Sequence, residues 1–148
     1  MSARRQLMNR VCTARRRLRD MAAAVASTAD HATLEAERAE QALRDELAAH
    51  ELEATARYLE AKSARELLTV ADEAALGREA ATEAGKRVAT ARGASDVARR
   101  ALAARARDLE AMERRARELR ASEDEAADKA EQKLMDDLGA ARATEGPR

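Results

Sequence analysis

The chain has 148 residues, no Phe or Trp, a single Tyr and 38% charged residues, which excludes a compact globule built on an aromatic core. Its formal net charge is zero, so it lacks the basic excess of a dedicated nucleic-acid binder, and no nucleic-acid partner is expected. Its one cysteine, Cys12, permits neither an internal disulfide nor a thiolate metal cluster and points to a reducing compartment.

Alanine, arginine, glutamate, leucine and aspartate dominate, so helix is the default throughout. The longest apolar run, residues 21–26, falls far short of the about 20 residues needed to span a bilayer. Residues 1–19 hold many arginines and no acid before Asp20, a pattern shared with transit peptides and signal n-regions. The apolar stretch that follows is short and leucine-free, and a heptad pattern crosses the segment without a break. Leu7, Val11, Ala14, Leu18, Met21, Val25, Thr28 and Ala32 recur at steps of four and three, the stripe of a coiled-coil helix. This predicts a first helix over about residues 3–68.

Ser63-Ala64-Arg65-Glu66 reads as a capping box, Thr69 to Asp72 as a weaker one, and Gly77 as a candidate helix C-cap. These signals bracket a tip within residues 61–78. A second helix over about 72–138 carries Ala81, Ala84, Val88, Ala91, Ala98, Leu102, Leu109, Met112, Ala116, Leu119, Ala126 and Ala130 on its stripe, interrupted by Arg105 and Glu123. Leu134 and Leu138 continue it with a local stutter, and Gly139, Gly146 and Pro147 suggest a flexible tail over 139–148. The alanine stretch buries little area and is expected to be the least stable part.

Each stripe needs a partner, and the two offer one to each other. Arg4, Arg5, Arg10, Arg15, Arg16, Arg17 and Arg19 lie in the first segment; Glu123, Asp124, Glu125, Asp128, Glu131, Asp136 and Asp137 lie in the last. Laying one block on the other pairs residue i with about 140 minus i and sets the fold-back near residue 70. The expected fold is a single all-α domain, a long antiparallel two-helix coiled-coil hairpin with arms on the order of 100 Å.

No catalytic constellation is present. Between Gly77 and Gly85-Lys86-Arg87 seven residues intervene where a phosphate loop has four, and Arg87 replaces the magnesium-binding Ser or Thr. His50-Glu51 starts a zinc-protease motif, but Ala54 occupies the second histidine position, and His31 lies too far along the helix to join it. Carboxylates on a thin helical pair have no pocket to shift their pKa values. No enzyme activity, metal or cofactor is expected. Cys12 reads as a small side chain at the seam edge, although nearby arginines would favour its thiolate. Tyr58, with Leu59, Leu67, Leu68 and Val70, either closes the seam or anchors a partner at the tip.

Leu109-Glu110-Ala111-Met112-Glu113-Arg114-Arg115, followed by Glu131-Gln132-Lys133-Leu134-Met135-Asp136-Asp137-Leu138, resembles the C-terminal end of the FliJ/YscO family, the central stalk proteins of type III secretion and flagellar export. The resemblance is confined to that end; elsewhere the chain is similar only in being charged helix. It implies a non-catalytic stalk, cytoplasmic and peripheral to the bacterial inner membrane, that couples a hexameric export ATPase to an export-gate membrane protein. The ATPase-facing set it implies is Arg4, Arg5, Arg10, Arg15, Arg16, Arg17, Gln132, Lys133, Asp136 and Asp137. The gate-facing tip would be Tyr58, Leu59, Leu67, Leu68 and Val70, with secretion chaperones as further candidate partners. Two other classes share the composition: a homo-oligomeric structural coiled coil, and an alanine-rich stress-protective protein that is disordered in dilute solution.

Overall fold

A computed structural model describes the backbone of residues 2–144 and the side chains of residues 2–140. Two helices account for nearly all of it, α1 from Ala3–Glu60 and α2 from Ala64–Thr144, and no strand occurs among the described residues. Packing divides the chain into two compact units, one formed by Met1–Arg19 with Ala104–Arg148 and the other by Asp20–Ala103. In each, a stretch of α1 packs antiparallel on a stretch of α2, so the fold is an all-α helical hairpin.

Both helices start at true caps. Ser2 Oγ accepts the Arg5 N–H at 3.1 Å and donates to Glu123 Oε1 at 2.8 Å, so α1 begins where a side chain replaces the missing helical partner. At α2, Ser63 Oγ accepts the Glu66 N–H at 3.3 Å and the Glu66 carboxylate takes the Lys62 N–H at 2.9 Å, a variant of the capping box in which the carboxylate reaches one residue past the N-cap. The chain therefore turns between Glu60 and Ala64, at the edge of the expected bracket and well before residue 70. The first helix ends at Glu60 rather than 68, and the second starts at Ala64 rather than 72. The Thr69 signal is helix interior, its hydroxyl donating to the Arg65 carbonyl at 3.0 Å. Gly77 is no C-cap, since α2 runs through it and no described glycine has a positive φ. Likewise α2 continues past Gly139 to Thr144 where a flexible tail was expected; residues 145–148 lie outside the described residues.

The earlier turn resets the register. In the first unit Arg15 meets Asp108 at 3.2 Å and Arg16 meets Glu113 at 2.7 Å. In the second, Arg92 meets Glu37 at 2.8 Å and Arg57 meets Glu73 at 2.7 Å. Residue i thus faces about 127 minus i, a slip of nearly two heptads from the pairing that charge alone suggests. Glu123 and Asp124 still reach Arg5, but Glu125, Asp128, Glu131, Asp136 and Asp137 lie beyond the last α1 partner.

The α2 stripe forms the seam as expected up to Leu119: Ala84, Val88, Ala98, Leu109 and Ala116 are buried, and Ala81, Ala91, Leu102, Met112 and Leu119 are half-buried. Buried Ser95 fills the missing heptad position. Ala126, Ala130, Leu134 and Leu138 are exposed instead. On α1 the seam runs one residue later than its leucine-rich stripe, through Met8, Cys12 and Arg15 in the first unit and Ala22, Ala26, Ala29, Thr33, Ala36, Leu43 and Leu47 in the second. Leu7 is 62% exposed, Met21 66% and Val25 61%. The physical reason is close approach: Cys12, Ala22, Ala26 and Ala29 let α1 settle on an alanine-lined α2, whereas leucine, methionine and valine would hold the helices apart.

Gly93 sits in mid-helix with nothing within 4 Å of where a Cβ would be. Gly93→Ala should therefore raise stability by about 0.5–1 kcal/mol, because it removes backbone entropy from the unfolded chain without a clash. At Gly77 a Cβ would meet Leu47 Cδ1 at 2.8 Å, so Gly77→Ala should gain less as Leu47 turns aside. Parallel thermal melts followed by circular dichroism measure the difference.

Candidate functional site

Three places in the fold concentrate side chains that could act on something else: the α2 end of the first unit, the tip of the second, and a polar node in the second unit's seam.

In the first unit Arg5 is the hub. Its Nε lies 2.5 Å from Glu123 Oε2, its Nη2 pairs with Asp124, and the same nitrogen donates to the Arg120 carbonyl at 3.0 Å. Arg120 in turn donates to Asn9 Oδ1 at 2.9 Å. The hydrogen bond to Asp124, followed by the contact with Glu123, pushes the Arg5 pKa up, and the bond to Glu113 does the same for Arg16. Arg5, Arg15 and Arg16 are thus committed to holding α1 on α2. Arg4, Arg10 and Arg17 are exposed, with no ion-pair partner among the described residues.

Beyond Asp124 no described residue packs on the α2 extension. Gln132, Lys133, Asp136 and Asp137 are all exposed, as are Leu134 at 60%, Met135 and Leu138. The structure brings Arg5 to the start of this extension, but Arg15 and Arg16 pair far back along α2 and do not meet it. Lys129 ties to Glu125 at 2.6 Å within the helix, a bond that supports local helicity only weakly.

At the tip of the second unit Leu59 is 83% exposed, and Tyr58 and Leu68 are also exposed. Leu67 is half-buried. Val70 is buried at a seam position, so it supports the tip from inside and offers no surface to a partner. Sequence reasoning missed Leu52, 77% exposed, and Leu76, both leucines that fall off the seam once its phase is known. A groove of about 430 Å³ between the helices is lined by Leu43, Leu47, His50, Ala54, Leu76 and Gly77. A shallower recess beside it takes Tyr58, Leu59 and Val70. His50 has only loose carboxylate neighbours, Glu46 at 3.7 Å and Glu53 at 3.9 Å.

The polar node is Asp30. It accepts the hydroxyl of buried Ser95 and the guanidinium of Arg99, Nη2 at 3.0 Å, while His31 is its neighbour. The Ser95 hydrogen bond, then that of Arg99, holds the Asp30 carboxyl below its ordinary value, and the Asp30 bond raises the Arg99 pKa. A serine at a core heptad position, matched only by this carboxylate, favours one register over its neighbours. Among the described residues no group of His, Cys, Asp or Glu is placed to hold a metal, and no helix is long and apolar enough to cross a membrane.

The described residues therefore define an all-α helical hairpin. No protein-family model matches the chain, and neither curated proteins nor solved structures include a match to it.

Because the Asp30 pKa is depressed in the folded state, its contribution is fully present above the unfolded carboxylate value and is lost as pH falls through the folded one. The melting-temperature gap between the unmodified protein and Asp30→Ala should be constant near neutrality and narrow as pH falls below the unfolded carboxylate value and through the lower folded one. Thermal melts of both proteins across that range measure it.

Proposed function

We propose that this chain is the non-catalytic stalk of a type III secretion or flagellar export ATPase complex, coupling the ATPase ring to the membrane export gate. The observation that carries this assignment is the state of residues 131–138, the segment that resembles the FliJ/YscO family. It lies beyond the α1 seam with every side chain exposed, so among the described residues its leucines and acids take no part in packing and are available to a partner. Gln132, Lys133, Asp136 and Asp137, with Arg4, Arg10 and Arg17, face the hexameric ATPase in this assignment. Tyr58, Leu59 and Leu68 face the gate, since exposed aromatic and leucine anchors dominate interface energetics. Secretion chaperones are further partners, and the site of action is the cytoplasmic face of the bacterial inner membrane.

The test is retention of ATPase and gate fragments by the immobilised chain. The combined Gln132→Ala, Lys133→Ala, Asp136→Ala and Asp137→Ala variant should lose ATPase binding by roughly tenfold or more and keep gate binding. Leu59→Ala with Leu68→Ala should do the reverse, with circular dichroism unchanged because alanine keeps helix propensity. If the unmodified protein retains neither fragment, the stalk assignment fails.

A further inference from the structure

Two surfaces of the first unit have no packing partner among the described residues and are complementary to each other. One is the α2 extension, about 20 residues or roughly 30 Å of helix past Asp124, with Ala130, Leu134, Met135 and Leu138 exposed. Its acids Glu125, Asp128, Glu131, Asp136 and Asp137 outweigh Lys129, Lys133 and Arg142. A lone helix of that length is marginal in water and ordinarily draws its stability from packing an apolar face. The other is the outer face of α1, where Leu7, Ala14 and Leu18 are exposed, Val11 is half-buried, and exposed Arg4, Arg10 and Arg17 flank them.

We propose that the chain forms a two-fold dimer in which the α2 extension of each copy lies along the outer face of α1 of the other. Two-fold symmetry fixes the direction. Within one copy the extension leaves the Arg5–Asp124 junction heading away from α1, and a two-fold axis across the helices reverses the partner. The extension of one copy and the α1 of the other therefore run parallel. In that sense the spacings agree, with Ala130 against Leu7, Leu134 against Val11 and Leu138 against Ala14, each step four residues or close to it. The acidic flank of one helix meets the arginine flank of the other, and the reverse arrangement of like charges is avoided. The side chains of residues 124–140 on the extension are all exposed, so among the described residues none covers the face offered to the partner helix. The symmetry makes the contact twice, which compensates for the small area of a single helix pair. The dimer occupies the surface that the stalk assignment gives to the ATPase, but it does not depend on that assignment.

Sedimentation velocity of the full 148-residue chain over a wide concentration range should show a dimer that weakens with salt. Leu134→Glu with Leu138→Glu should dissociate it by roughly tenfold or more, with circular dichroism losing at most the helicity of the extension, since both side chains are exposed within their own chain. Arg4→Glu, Arg10→Glu and Arg17→Glu together should dissociate it as well, and mixing that protein with the Asp128→Lys, Asp136→Lys, Asp137→Lys variant should restore a mixed dimer. A monomer at every concentration overturns the proposal. So does a dimer that survives the arginine reversal, because that would mean the extensions pair only with each other. Neither outcome touches ATPase retention, which is measured separately.

Discussion

Helices that bury no aromatic side chain can bury enough surface only by coming close, and they come close only where small residues face each other. That requirement of close approach organises this chain. It places Ala26, Ala84, Ala98 and Ala116 at the interface, with Cys12, Val88 and Leu109, and no large side chain is fully buried among the described residues. With so little area per residue, the apolar seam discriminates weakly between registers that differ by whole heptads. Specificity is left to polar groups. Arg5 with Glu123 and Asp124 in one unit, and Ser95 with Asp30 and Arg99 in the other, supply it.

The helical character, the two-helix plan and the α2 stripe from Ala81 to Leu119 were legible in the sequence, because a long regular pattern outweighs local noise. The α1 stripe was misplaced by one residue for a physical reason. Leu7, Val11, Leu18, Met21 and Val25 form the stronger apolar row at the start of the helix, but continued past Ala32 that row reaches Glu35 and Glu46. The adjacent row is poorer early, with Arg15 and Arg19, yet leads to Leu43 and Leu47. A continuous helix can satisfy only one phase, and the one that keeps small residues where the helices are closest prevails. The register error has a related origin: opposite charge favours many alignments, whereas the capping box at Ser63 marks a single turn.

The candidate surfaces were legible as residue types and not as surfaces. Gln132, Lys133, Asp136 and Asp137 drew notice through a resemblance, and their exposure depends on where α1 stops. Val70 looked like its neighbours Leu67 and Leu68 until the seam phase separated them. Leu52 and Leu76 are exposed because they miss that phase, which cannot be read until the turn is placed. The residues left outside the seam are consequently larger and more apolar than many within it.

Cys12 gives the chain a built-in clock. Its thiol is free and buried between the helices of the first unit, in a stretch where arginines surround it. An alkylating reagent reaches it only while α1 lifts from α2, so the rate of modification counts those openings. Any partner that clamps the two helices together slows the count, and any partner that pries them apart quickens it.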